Sequence, residues 1–147
     1  MNINDICSRN VYCVYASQAL AEAAREMSQR GIGTAVVVEA RGDNLQPIGI
    51  VTDRDMVCGQ IALAKDLFCL SVSDVMTPNP LTLAENSGLA ESISALKEKG
   101  VRRALVVDAA GNLTGIVSTD DLLPAVTREL AALVKTVDLQ AHRHARS

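Results

Sequence analysis

The sequence predicts a mixed α/β (α+β) fold built from two tandem β-α-β-β-α units. Three observations carry that reading. The chain aligns with itself at an offset of 69: "NDICSRN" (4 to 10) falls on "SDVMTPN" (73 to 79), Leu20 on Leu89, Ala24 on Ile93, Met27 on Leu96, Gly31 on Gly100, and "TAVVVE" (34 to 39) on "RALVVD" (103 to 108). Within each copy the apolar spacing turns from helical to strand-like and back. Between the two strand-like runs of each copy lies the Gly/Asn/Asp chemistry of a hairpin turn.

Each element follows in order. After a short opening strand, "SQALAEAAREMSQRG" places Leu20, Ala24 and Met27 at i, i+4 and i+7, and Gly31 marks the stop. "NSGLAESISALKEKG" repeats this with Leu89, Ile93, Leu96 and Gly100. The hairpins run from "TAVVVE" to "IGIVT" and from "ALVVD" to "LTGIVS". The first turn is three residues longer than the second, which lowers the offset to 66, a change that a hairpin tip tolerates. A helical pattern then closes each unit.

The repeats therefore cover 4–58 and 73–124, with 59–72 connecting them and a C-terminal helix and tail over 125–147. Units this small often cannot bury their apolar face alone, so the halves are expected to pack together. Leu122, Val126, Leu130, Leu133, Val134 and Val137 line one side of the last helix, either to close the core or to meet a copy of themselves. Pro124 predicts a kink or restart there. The terminal "AHRHARS" reads as a frayed tail rather than a metal site.

Composition narrows the function. With 147 residues, 14 basic and 17 acidic groups spread along the chain and only three aromatics, there is neither a cationic footprint nor a stacking platform for nucleic acid. Cys7, Cys13, Cys58 and Cys69 form no C-x-x-C pair and lie far from His142 and His144, so they read as small buried or half-buried thiols and not as a metal or redox site. No basic, apolar leader opens the chain and no eighteen apolar residues run together, which predicts a cytoplasmic protein with no membrane partner.

The chemistry gathers in a phrase written twice, "GIVTDRDM" (49 to 56) and "GIVSTDDL" (115 to 122). Thr52 with Asp55, and Ser118 with Asp121, have the spacing of a capping box, and helix capping alone accounts for it. The same corner can also hold a ligand. Free amides and the hydroxyl suit a phosphate, the carboxylate suits sugar hydroxyls, and Gly49 and Gly115 let backbone approach closely.

The duplicated unit, "DVMTPN" opening its second copy, "VRRALVVDAAGNLTGIVSTDDLL" closing it, and the matched "GIVTDRDM" together closely resemble the CBS-domain family, in the paired arrangement called a Bateman module. The resemblance spans residues 4 to 124 and implies two units packed through their sheets about a pseudo-twofold axis, with clefts between them for adenosine-containing ligands: AMP, ADP, ATP, NAD(H) or S-adenosylmethionine. It implies that Thr52 and Ser118 hold phosphate or ribose, and that Asp55 and Asp121 grip ribose hydroxyls. Thr34 and Ala35, and Arg103 and Ala104, match the stretch that faces the base, and Ser8 and Thr77 match a segment that often lines the cleft. Where the family shows "MTP" the first copy reads "CSR" (7 to 9).

The clefts are expected to differ. Arg54 is answered by Asp120, and Arg102 and Arg103 answer Gly33 and Thr34, so Arg54, Arg102 and Arg103 are the candidate phosphate clamps. The reading is a stand-alone regulatory module that senses an adenosine-containing ligand without catalysis and without a required cofactor, forms a homodimer and acts on a regulated protein. A structural dimerisation module with no nucleotide ligand is the alternative. An enzyme using Asp53, Asp55, Asp120 or Asp121 is disfavoured, since no His lies near either motif.

Overall fold

The computed structural model describes residues 1–146. The first unit contains β1 (Cys13–Tyr15), α1 (Leu20–Arg30), β2 (Thr34–Arg41), β3 (Asn44–Thr52) and α2 (Asp53–Leu63). A short helix α3 (Val72–Val75) and strand β4 (Thr77–Pro78) lead into β5 (Thr82–Ala84), α4 (Leu89–Lys99), β6 (Arg103–Val107), β7 (Leu113–Ser118) and α5 (Thr119–Arg146). In each unit the opening strand pairs parallel to the next, and that strand pairs antiparallel to the hairpin's return: β1-β2-β3, then β5-β6-β7. Register slips at Val37/Val38 and again at the equivalent Val106/Val107.

Gly31 and Gly100 adopt φ of 65° and 68°, where their amides close the ends of α1 and α4. Glycine occupies this left-handed conformation without strain, which is why both helices stop there. Asp108 fixes the second hairpin by accepting from the amides of Asn112 and Ala110 at 2.9 Å each. These amides, Asn112 foremost, hold its carboxyl below the usual carboxylate range.

Strand alternation divides the apolar residues among three cores. Ala35, Val37 and Val51 face α1 with Leu20, Ala23 and Met27. Ala104, Val106 and Val117 face Leu96 of α4 and Leu122 of α5. Val36, Val38 and Leu105, with Ile50 and Ile116 against them, form the layer where the sheets meet. The two halves thus pack face to face, as the sequence predicts.

Each half also lends its lead-in segment to the other. Strand β4 joins β3 of the first unit through Ile50 and Thr77, and Ser8 bridges Ile116 of β7 in the second. Val72 is buried in the first core and Ile3 in the second. The backbone bonds repeat as well: Val72 N–H donates to Gln18 at 3.0 Å, and Ile3 N–H to Ser87 at 2.8 Å. Gly49 and Gly115 sit under these crossings. A Cβ on Gly115 would lie 2.8 Å from Cys7 Sγ and 2.9 Å from the Ser8 carbonyl oxygen, and one on Gly49 would lie 2.9 Å from Met76 Sδ and 3.0 Å from the Thr77 carbonyl. Their glycines are needed for this close approach of backbone.

Four expectations change. Ile93 is exposed, and the buried positions of α4 are Ser92 and Leu96. The stripe is turned by one residue because Ser92 satisfies its hydroxyl on the Gly88 carbonyl at 2.7 Å, so it can be buried. Pro124 neither kinks nor restarts the last helix, which runs uninterrupted over Thr119–Arg146. The donor it lacks would have served the carbonyl of Asp120, whose residue is exposed to solvent. Residues 141 to 146 continue this helix rather than forming a frayed tail, while Ser147 lies outside the described residues. Finally, Cys7 and Cys13 are half-buried, with burial pushing both thiols up, but Cys58 and Cys69 are exposed.

Candidate ligand clefts

Both strand-to-helix corners close a capping box. At the start of α2 the Asp55 N–H donates to Thr52 Oγ1 at 3.1 Å, and the Thr52 N–H donates to Asp55 Oδ2 at 2.9 Å. At the start of α5 the Asp121 N–H donates to Ser118 Oγ at 3.3 Å, while the Ser118 N–H and hydroxyl donate to Asp121 Oδ2 at 2.8 and 3.0 Å. Capping uses one oxygen of each carboxylate. Among the described residues, the other oxygen, Oδ1, accepts no hydrogen bond in either box.

The free amides that the sequence reserves for a phosphate are largely taken. In the first turn of α2 the Asp53 N–H donates to the Gly33 carbonyl at 3.0 Å, the Arg54 N–H to Asp53 Oδ1 at 2.9 Å, and the Asp55 N–H to Thr52. In α5 the Thr119 N–H donates to the Arg102 carbonyl at 2.9 Å. These bonds tie each corner to the loop before the neighbouring strand. An anion held here must therefore find its donors chiefly on side chains.

A cleft opens beside each corner. One, of about 290 Å³, is lined by Thr52, Asp55, Thr77, Arg102 and Arg103, with Leu81 and Val101 as apolar wall. The other, of about 250 Å³, is lined by Ser118, Asp121, Thr34, Gly33 and Arg103, with Tyr12 and Ile32. The two are related residue by residue through the repeat: Thr52 with Ser118, Asp55 with Asp121, Leu81 with Tyr12, Val101 with Ile32. Each volume is just below the ~300–1,000 Å³ common for small-molecule pockets, and each opens directly to solvent.

Of the predicted residues, Thr52, Asp55, Thr77, Arg102 and Arg103 come together in the first cleft, and Ser118, Asp121, Thr34 and Arg103 in the second. Arg54 is exposed and lines neither. One residue before Asp55, its side chain is turned about 100° around the helix. Ala35 and Ala104 are fully buried on the helix side of their strands, because alternation sends Thr34 and Arg103 to one face and the alanines to the other. Ser8 and Thr77 make equivalent backbone pairings, with Ile116 and Ile50, but of the two only Thr77 lines one of these clefts.

Sequence reasoning missed Asn10, Val11 and Tyr12, which border the Ser118 cleft, and Pro80 and Leu81, which border the other. The signal was present in the repeat offset, which sets Tyr12 against Leu81. It was hidden because neither residue type suggests binding outside its place in the fold. Tyr12 is held in place by the Arg30 guanidinium, 4.6 Å above its ring centroid.

Comparison with known proteins agrees with this architecture. The CBS domain family profile matches residues 3–58 and 72–128. An uncharacterized protein of Bacillus subtilis is 33% identical over 121 residues, covering 82% of this chain and 78% of its own. An uncharacterized protein of Methanopyrus kandleri is 30% identical over 123 residues, covering 84% of this chain, which spans only 61% of that relative. Among solved structures, CBSX2 in complex with AMP superposes with a TM-score of 0.71 at 26% identity, covering 86% of this chain and 96% of that one. Two matched copies, exchanged lead-in segments and paired clefts at equivalent corners lead to one conclusion: the chain belongs to the CBS domain family.

Proposed function

We propose that this protein is a regulatory module that binds an adenosine-containing ligand (AMP, ADP, ATP, NAD(H) or S-adenosylmethionine) in the clefts between its repeats and performs no catalysis itself. The observation that carries this reading is the leftover Oδ1 of Asp55 and of Asp121, each beside a hydroxyl and an arginine in an open cleft. A carboxylate oxygen suits the two hydroxyls of a ribose, and a guanidinium suits phosphate. The AMP complex of a structural relative supports the ligand class. In this reading Thr52, Asp55, Thr77 and Arg102 serve one site, Ser118, Asp121 and Thr34 the other, and Arg103 reaches both.

The module works in the cytoplasm as a homodimer that acts on a regulated protein. Among the described residues no helix is long and apolar enough to cross a membrane. Support for self-association comes from α5, where Leu130, Leu133 and Val137 are about 60% exposed on one side. That same stripe favours the second reading, a dimerisation element with no nucleotide ligand. Calorimetric titration with AMP, ATP, NADH and S-adenosylmethionine separates them. Saturable heat with at least one ligand is expected; no heat and no thermal shift with any of them, from a protein that still dimerises, would leave only the second reading.

A further inference from the structure

We propose that Arg103 is one cation shared between two sites, so that an anionic ligand in one cleft weakens the binding of a second in the other. The inference rests on the ligand-binding reading above and adds a coupling between the sites. Arg103 opens β6 and lines both clefts, while its repeat counterpart Thr34 lines only the Ser118 cleft. The ridge between the clefts therefore carries a long cationic side chain on one side and a short hydroxyl on the other. A symmetric protein would have two such groups or none.

The guanidinium is available to either side. Among the described residues the ion pairs are Arg30–Glu26 and Arg41–Glu39, and Arg103 joins neither. One carboxylate stands on each flank, Asp55 in one cleft and Asp121 in the other. The alternatives to Arg103 are unequal. The Thr52 cleft also holds Arg102, whereas among the described residues Arg103 is the only cationic side chain lining the Ser118 cleft. Since backbone amides at these corners are largely spoken for, a phosphate drawn to Arg103 from one side deprives the other of its main donor. A phosphorylated ligand thus fills the Thr52 cleft first, and the Ser118 cleft is left to bind a second one weakly or to accept an uncharged adenosyl compound.

Titration calorimetry with AMP and with adenosine tests this. The affinity of the Ser118 cleft alone is measured in Asp55→Ala, where the other cleft is weakened, and compared with the weaker step in the unaltered protein. The weaker step is expected to be about 5- to 150-fold poorer, the usual range for coupled sites. In Arg103→Thr, compared in the same way with and without Asp55→Ala, the gap closes to within about twofold, and adenosine shows no gap in either form. Arg102→Thr, which touches one cleft only, lowers the affinity there but keeps the gap. Two AMP molecules bound independently by the unaltered protein, or a gap that survives Arg103→Thr in a folded variant, overturns the coupling and leaves ligand binding standing. Failure of the unaltered protein to bind AMP, ATP or NADH overturns the coupling, and failure to bind S-adenosylmethionine as well overturns both.

Discussion

Ile3→Ala is expected to destabilise the protein by about 2–5 kcal/mol, the usual range for truncating a fully buried isoleucine. Ile3 opens the first CBS match, residues 3–58, but is fully buried among Leu83, Leu96, Val106, Val117 and Leu122 of the second. Its removal leaves a hole in a core that its own repeat does not build. Urea unfolding followed by far-UV circular dichroism measures the loss. The contrast is Ile93→Ala, a position that helical spacing assigns to the core but that is exposed on α4; there the change should stay within about 0.5 kcal/mol. Equal effects at the two positions would contradict the exchange of lead-in segments.

Asp55→Ala and Asp121→Ala should each weaken AMP binding at their own cleft by about 10- to 100-fold, because a hydrogen bond to a charged group contributes about 1.5–3 kcal/mol. Both also lose a helix cap, which costs about 1 kcal/mol of stability. The two losses separate in Asp55→Asn and Asp121→Asn. An amide oxygen can still accept the Thr52 or Ser118 N–H that Oδ2 now accepts at 2.9 or 2.8 Å, so stability should largely return. The charge facing the ribose does not return, and affinity should stay low. Calorimetry gives the binding loss and thermal unfolding the stability loss. Variants that unfold while affinity per folded molecule is unchanged would reduce both aspartates to caps.

Much of this was legible because it depends on local rules. Gly31 and Gly100 end their helices where a left-handed residue is required, and Thr52–Asp55 and Ser118–Asp121 form the boxes that their spacing predicts. The repeat offset pairs the two corners, and the family resemblance implies a cleft beside each. What escaped depends on partners distant in the chain. Ser92 can replace an apolar residue only because the Gly88 carbonyl receives its hydroxyl. Tyr12 and Leu81 border clefts only because the sheets meet face to face. The amides at the start of α2 are engaged by a loop carbonyl and by a neighbouring carboxylate, Gly33 and Asp53, neither of which a motif can reveal.

The lead-in segments that cross between halves also set an order of events during synthesis. Residues 3–8 leave the ribosome before the segments that receive them, the turn after β5 and strand β7, have been made. The first sheet, likewise, gains its last strand, β4, only after its hairpin is complete. Neither half can reach its final form in isolation, and contacts this far apart in sequence slow folding. Ile3 finds its place only once Val117 of β7 and Leu122 of α5 have emerged, and until then its apolar side chain stays unburied.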